Sequence, residues 1–220
     1  MSTEESHQHL KDIGAQTTKE DLIEIYKSWS NTYDKDVTKD LLYVAPKLAA
    51  EELCKILDER GVSKVTAEVI DLGCGTGLVA EHLKKLGCEA VDGLDISPEL
   101  LKIAEEKKLY RRLFHGYMAS ENCEDLGLDA NQYDVAICVG VFTIGHVKGK
   151  GFDDLVHVVK PGGIVCFTIR DCVSNDPQYE YGEKMEALCK KKKWKLVSKH
   201  HIVYHQINHF KSWLYFYEIL

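Results

Sequence analysis

The chain has 220 residues, 45% hydrophobic and 29% charged, which suits one domain of ordinary size with its own core. Its formal net charge of -7 argues against a surface for long nucleic acids, which reward a basic stripe. The longest apolar runs, such as Ala136 to Ile144, are too short for a membrane span, and the first eighteen residues hold no apolar signal core, so a cytoplasmic location with room for a nuclear fraction is expected.

Residues 1–18 read as a flexible N-terminal arm. Lys19 to Ser30 carries Leu22, Ile23, Ile25, Tyr26 and Trp29 at helical spacing. A second helix is predicted over Leu41 to Arg60, stopped by Gly61. Strands and helices then alternate. Glu68 to Leu72 is a strand, Gly73 to Gly77 a turn, and Leu78 to Leu86 a helix closed by Gly87. Ala90 to Ile96 is the second strand. Ser97 is a good N-cap with Pro98 at the first helical position, opening a helix to about Lys108. Arg112 to Met118 and Tyr133 to Phe142 are the third and fourth strands. Gly151 to Val159 is a helix, and Pro161-Gly162-Gly163 turns the chain into a fifth strand, Ile164 to Ile169. Glu180 to Lys192 is a helix, and Trp194 to His205 and Lys211 to Ile219 are two closing strands joined near Asn208.

Strands with nearly continuous apolar character are buried on both faces, as in a parallel sheet covered by helices. The order predicts an α/β, doubly wound (Rossmann-like), mostly parallel seven-stranded sheet ending in an antiparallel hairpin. Residues 19–220 then form one domain, with 19–61 as a helical lid and 62–220 as the core. The eight cysteines include no CxxC pair and read as buried free thiols.

The most informative segment is Val69 to Gly77, where the first strand meets the first core helix. Glycines 73, 75 and 77 let the backbone turn sharply and let a ligand touch the main chain. A ligand in such a fold lies at the carboxyl ends of the strands. Asp95 ends the second strand, and an acid there can accept hydrogen bonds from both hydroxyls of a ribose. Glycine spacing alone is a weak signal, because dinucleotide enzymes use a similar loop. Asp71 discriminates. A carboxylate just before the turn would repel a pyrophosphate, and the turn has no Lys or Arg to neutralise one. A cationic, phosphate-free nucleoside suits the site better.

Asp71-Leu-Gly-Cys-Gly-Thr-Gly77 followed by Leu94-Asp-Ile-Ser-Pro98 resembles motifs I and II of the class I S-adenosylmethionine-dependent methyltransferases. Tyr133-Asp-Val and Val159-Lys-Pro-Gly-Gly163 match the later motifs, and the likeness runs over roughly residues 20 to 220. Tyr26-Lys-Ser-Trp-Ser-Asn-Thr-Tyr-Asp34, with His115-Gly116, points to a methyltransferase-like subgroup. The resemblance implies S-adenosyl-L-methionine as cofactor and S-adenosyl-L-homocysteine as product. It implies that Asp71, Gly73, Cys74, Gly75 and Gly77 form the turn around the methionine portion. Asp95 would hold the ribose, Ile96 would pack on adenine, and Met118 and Ala119 would close the adenine pocket. Val139 and Gly140 would lie under the methionyl chain, with Trp29 and Tyr33 capping its end. Many relatives carry an acid after the third strand that meets the adenine amino group. Here that stretch reads Gly116-Tyr-Met-Ala119, which leaves Glu121 or Asn122 to replace it.

Methyl transfer needs nucleophile, methyl and sulfur in line, and a dedicated base only if the acceptor arrives protonated. Candidate bases are His146, Tyr43 and Asp171. For His146 a solvent-exposed loop position is the favoured reading, and for Tyr43 a core or lid position. No Asn-Pro-Pro-aromatic motif and no glutamate pair follows the fourth strand, which disfavours nucleobase or glutamine amines and protein arginine. With little chain outside the core, the acceptor is expected to be a small molecule, with a protein side chain second. Rival readings are a catalytically silent cofactor-binding or interaction module, and a nicotinamide-dependent oxidoreductase. His201, His205 and His209 have a spacing that suggests zinc, but along a strand four residues stretch over about 13 Å, so no metal is expected. The run Lys190 to Lys193 reads as a solvated helix end, and Trp213, Tyr215 and Tyr217 as a packed strand.

Overall fold

A computed structural model describes residues 9–207 and 209–220. Strand β1 (Val69–Leu72) is buried along its whole length. It pairs in parallel with β2 (Val91–Asp95) on one side and β4 (Tyr133–Phe142) on the other. β3 (Leu113–His115) extends the sheet beyond β2, and β5 (Val159–Arg170) lies parallel to β4. β7 (Phe210–Ile219) inserts antiparallel between β5 and β6 (Trp194–His205), giving the order β3-β2-β1-β4-β5-β7-β6. This is the doubly wound, seven-stranded sheet with an antiparallel end that the element pattern predicts. Asn208, where the hairpin turn was expected, lies outside the described residues.

Side chains alternate across the sheet, so each strand feeds two cores. Val69, Val135, Ile137 and Cys166 pack on one face with helices α2 (Ala45–Glu59) and α3 (Leu78–Lys85). Ile70, Ala136, Cys138 and Phe167 pack on the other with α5 (Gly151–Val158) and α6 (Tyr181–Lys190). Ser97 caps α4 (Pro98–Glu106) as expected, accepting from Leu100 N at 3.3 Å. Of the eight thiols, five are buried and Cys172 is exposed.

Three boundaries differ from the sequence reading by three residues or more, each for a local reason. The second helix begins at Ala45 and not at Leu41. Pro46 cannot continue a helix backwards because its ring excludes the carbonyl four residues earlier, and Leu42 sits at φ 49°. Residues 42–44 instead run beside β6, with Val44 N bonded to Tyr204 O at 3.0 Å and Gln206 N to Leu42 O at 3.1 Å. β3 ends at His115, because Gly116 is wedged where a Cβ would stand 2.8 Å from both Leu126 O and Leu94 Cδ1. β5 begins at Val159, five residues early. The Pro161-Gly162-Gly163 segment is a bulge within the strand: the register slips between the Tyr133–Val159 and Val135–Ile164 pairs, and Gly162 has φ 82°.

The N-terminal segment lies over the carboxyl ends of the parallel strands. Helix α1 (Lys19–Trp29) opens with a capping box between Thr18 and Asp21. A π-helical turn, Asp36–Asp40, follows. Buried Asp36 collects Trp29 Nε1 and Thr32 Oγ1, each at 2.8 Å. Asp34 clips the segment to the core, taking a hydrogen bond from Thr76 Oγ1 and an ion pair from Lys107 at 2.6 Å. Of the stretch read as an arm, residues 9–12 are helical and Ile13 is buried.

Candidate active site

A cavity of about 610 Å3 opens at the carboxyl ends of β1, β2, β4 and β5, under the N-terminal segment. That is within the range of sites for small organic ligands. At one end the glycine turn forms its wall. Gly73 and Gly75 have φ 75° and 52°, and a Cβ at Gly73 would stand 2.2 Å from Val141 Cγ2. Only glycine fits that backbone without displacing β4. Asp95 is the sole acid among the described lining residues. Its Oδ2 accepts from Gly75 N and its Oδ1 from Ser97 N, both at 2.8 Å. The same carboxylate thus ties the glycine turn to β2 and faces the cavity. Burial raises its pKa, and the Ser97 and Gly75 amides partly offset this.

The opposite end is aromatic. Tyr26, Tyr33, Tyr43, Tyr204, Trp29 and Phe210 all line it. Trp29 and Tyr33 meet edge to face with ring centroids 4.8 Å apart. Gly140, at φ 86°, brings the floor close to the tyrosines: a Cβ there would stand 2.6 Å from Tyr43 Oη and 3.2 Å from Tyr204 Oη. Burial pushes the Tyr26, Tyr33 and Tyr43 hydroxyls well above their ordinary range, so all three are neutral donors near neutral pH.

Of the residues singled out in the sequence, Trp29, Tyr33, Gly73, Cys74, Gly75, Asp95, Ile96, Met118, Val139 and Gly140 line the cavity, as do Tyr43 and His146. His146 is half-buried and not the exposed loop residue that was favoured. It lies 2.7 Å from Ile144 O through Nδ1 and 2.7 Å from Tyr26 Oη through Nε2. A carbonyl can only accept, so Nδ1 carries the proton and Nε2 accepts from the tyrosine. Burial lowers its pKa, keeping it neutral.

Four residues stand elsewhere. Asp71 lies beneath the turn, fully buried, with Tyr110 Oη donating to Oδ2 at 2.7 Å while Oδ1 has no partner among the described residues. Burial pushes its pKa up to about 7. Its influence on a ligand therefore acts through the turn and not by contact. Gly77 caps α3 from a left-handed φ of 96°, closed over by Tyr110. Ala119 N donates to Asp154 Oδ2 at 2.6 Å, outside the cavity. Asp171 is exposed and pairs with His201 at 2.7 Å on the far side of β5, so it does not reach the cleft. Neither expected replacement for the adenine acid lines the cavity. Glu121 is exposed and pairs with Lys150 at 2.5 Å, and Asn122 is exposed.

Sequence reasoning missed Tyr26 as a lining residue, together with Thr143, Arg170, Tyr204, His205 and Phe210. His201 stacks on Trp213, whereas His205 is buried at the cavity, so the histidines point to different places. Among the described residues no three His, Cys, Asp or Glu side chains come together as metal ligands. The same residues include no helix long and apolar enough to cross a membrane.

The residues fit S-adenosylmethionine on their own chemistry. The turn leaves backbone exposed where a Cβ would collide, an acid stands at the end of β2, and no Lys or Arg accompanies the glycines. Residues 70–167 match the family described as "Methyltransferase domain". Methyltransferase-like protein 27 of Homo sapiens is 36% identical over 165 residues, covering 75% of this chain and 63% of that protein. The ubiquinone biosynthesis O-methyltransferase of Salmonella enteritidis is 34% identical over 116 residues, covering 51% of this chain and 46% of that enzyme. The chain thus spans less than two thirds of these relatives. In fold it is similar to the crystal structure of magnesium protoporphyrin IX methyltransferase from Synechocystis with bound S-adenosylhomocysteine, with a TM-score of 0.67 at 15% identity over 92% of this chain and 99% of that one. Sheet order, glycine turn and sequence relatives agree: residues 70–167 carry a methyltransferase domain, and the chain has the fold of the class I S-adenosylmethionine-dependent methyltransferases.

Proposed function

We propose that this chain transfers a methyl group from S-adenosylmethionine to a small-molecule acceptor held at the aromatic end of the cavity. The observation that carries the reading is one continuous cavity with a polar, glycine-lined end at β1 and β2 and an aromatic end under the N-terminal segment. When bound, the cofactor supplies an electrophilic methyl on a sulfonium. The chain supplies position, which is worth on the order of 7–11 kcal/mol when reacting atoms are held in line. Asp95 accepts from the ribose hydroxyls, Ile96 and Met118 flank the adenine, and Gly73 to Gly75 give backbone contact to the methionine portion. Val139 and Gly140 underlie that portion, and Trp29 and Tyr33 cap it.

His146 and Tyr26 add a route for a proton. A protonated acceptor can give its proton to Tyr26 Oη while Tyr26 passes its own to the neutral His146 Nε2, 2.7 Å away. The roof built from residues 10–46 covers part of the cavity, which favours a small acceptor over a protein side chain. One domain of 19–220, with 19–61 as lid, fits this division of labour. Thiols without disulfides suit the cytoplasm.

The test is release of S-adenosylhomocysteine from purified protein supplied with S-adenosylmethionine and fractions of cell extract. Release that follows the low-molecular-weight fraction is expected. Release that follows only the protein fraction would move the reading to a side-chain methyltransferase. No release with any fraction, despite cofactor binding, would favour a silent binding module.

A further inference from the structure

The cavity is electrically two-ended. Asp95 stands at the end of β2, and Arg170 lines the cavity from the last residue of β5. Three strand spacings separate them, about 14 Å. The other lining lysine or arginine is Lys11, which is exposed.

Arg170 differs from the chain's other arginines. Arg60 pairs with Glu218, and Arg111 and Arg112 pair with Asp92. Among the described residues no carboxylate pairs with Arg170, and its Nε is buried without a hydrogen-bond partner. Its neighbour Asp171 is taken by His201. Among the described residues the guanidinium is held by rings, 5.3 Å from the Tyr204 centroid and 4.7 Å from that of Phe210. Stacking fixes the plane of the fork without using its donors.

A second unpartnered polar group lines the same cavity. Phe142 of β4 pairs with Ile169 of β5, so Thr143 and Arg170 each directly follow one member of a paired position, with Arg170 still held in the sheet by its pairing with Ser212 of β7. Both line the cavity, and Thr143 is buried with its Oγ1 lacking a partner among the described residues. A buried donor left unpaired is costly, and a native structure seldom keeps two in one cavity unless a ligand satisfies them.

We propose that Arg170 and Thr143 form a carboxylate subsite, so that the methyl acceptor is a small molecule with an apolar or aromatic body and a carboxylate. A fork held flat by rings matches the planar, two-oxygen acceptor of a carboxylate. Tyr43, Tyr204 and Phe210 would enclose the body. This rests on the methyl-transfer reading. It also sets Arg170 one strand beyond β4, the strand whose Val139 and Gly140 underlie the methionine portion of the cofactor, so the fork serves the acceptor and not the cofactor's own carboxylate.

The test uses full-length protein saturated with S-adenosylhomocysteine, with 3-phenylpropanoate and 3-phenylpropanamide as probes, read by titration calorimetry and ligand-observed NMR. The acid should bind about tenfold more tightly than the amide, as expected for loss of a charge-assisted pair. Arg170→Gln should bring the two within about twofold, Arg170→Lys should keep part of the preference, and Thr143→Val should weaken the acid more than the amide. Equal binding of acid and amide, binding of neither, or an unchanged preference in Arg170→Gln would each overturn the subsite. So would folded Arg170→Gln that no longer binds S-adenosylhomocysteine, since the fork would then belong to the cofactor. If wild-type protein binds no S-adenosylhomocysteine, the methyl-transfer reading falls. The acid-over-amide comparison in the unliganded protein then still decides the subsite.

Discussion

Asp71 makes stability depend on pH in a direction opposite to most carboxylates. It is fully buried, holds one hydrogen bond from Tyr110, and has its pKa pushed up to about 7. In the unfolded chain an aspartate titrates near ~3.9. Between those values the folded protein binds the proton and the unfolded chain does not, so stability falls as pH rises through the window. Each pKa unit corresponds to about 1.4 kcal/mol, and about two units of the window lie between pH 5 and 7. The Asp71 contribution therefore drops by about 2–3 kcal/mol over that interval. Asp71→Asn is nearly isosteric, keeps an acceptor for Tyr110 and removes the titration. Asp154 also has a raised pKa, but it is present in both proteins and cancels in the difference, whereas the repulsion between Asp95 and Asp71 is part of the Asp71 effect. Urea unfolding of both proteins at pH 5, 6, 7 and 8 measures the effect. The variant should gain about 2–3 kcal/mol on the wild type between pH 5 and 7, with most of the gain complete by pH 7. Parallel profiles would refute the reasoning, because they would mean that Asp71 is ionised at little cost or reached by water.

Gly73→Ala should fold, yet lower affinity for S-adenosylhomocysteine at least about tenfold by calorimetry, because its Cβ would stand 2.2 Å from Val141 and distort the turn. Unchanged affinity would show that the turn gives without cost. Tyr26→Phe removes the donor to His146 Nε2, which favours the neutral ring, so the His146 titration followed by NMR should move upward in pH. A midpoint that stays still would break the assigned tautomer. Residues 19–40 are held to the core largely through Asp34 and the lining aromatics, so hydrogen exchange there should slow on adding S-adenosylhomocysteine. Equal protection with and without ligand would argue that this segment is not part of the cofactor site.

How far the sequence could be read depends on the range of the forces involved. Alternating apolar strands, the Ser97-Pro98 helix start and the glycines of the first turn are local signals, and the sheet and the cofactor half of the cavity follow from them. The aromatic half does not. Tyr43 reaches the cavity because Pro46 delays α2 and residues 42–44 take up pairing beside β6, a contact between segments 160 residues apart. Arg170, Tyr204 and Phe210 converge only because β7 inserts between β5 and β6. One cue was present for Arg170, a lone cation ending an apolar strand. Asp71 had the right residue type for the wrong position: its carboxylate shapes the field from below the turn, where burial and Tyr110 govern it.

The central claim is that the glycine turn and Asp95 hold a cationic, phosphate-free nucleoside. Titration calorimetry of S-adenosylmethionine into wild-type and Asp95→Ala protein, with NADH as the control ligand, bears on it most directly. The account predicts saturable binding of S-adenosylmethionine to the wild type, a loss of at least about tenfold in the folded variant, and no heat with NADH. Binding of NADH, or S-adenosylmethionine affinity unchanged in Asp95→Ala, would contradict it.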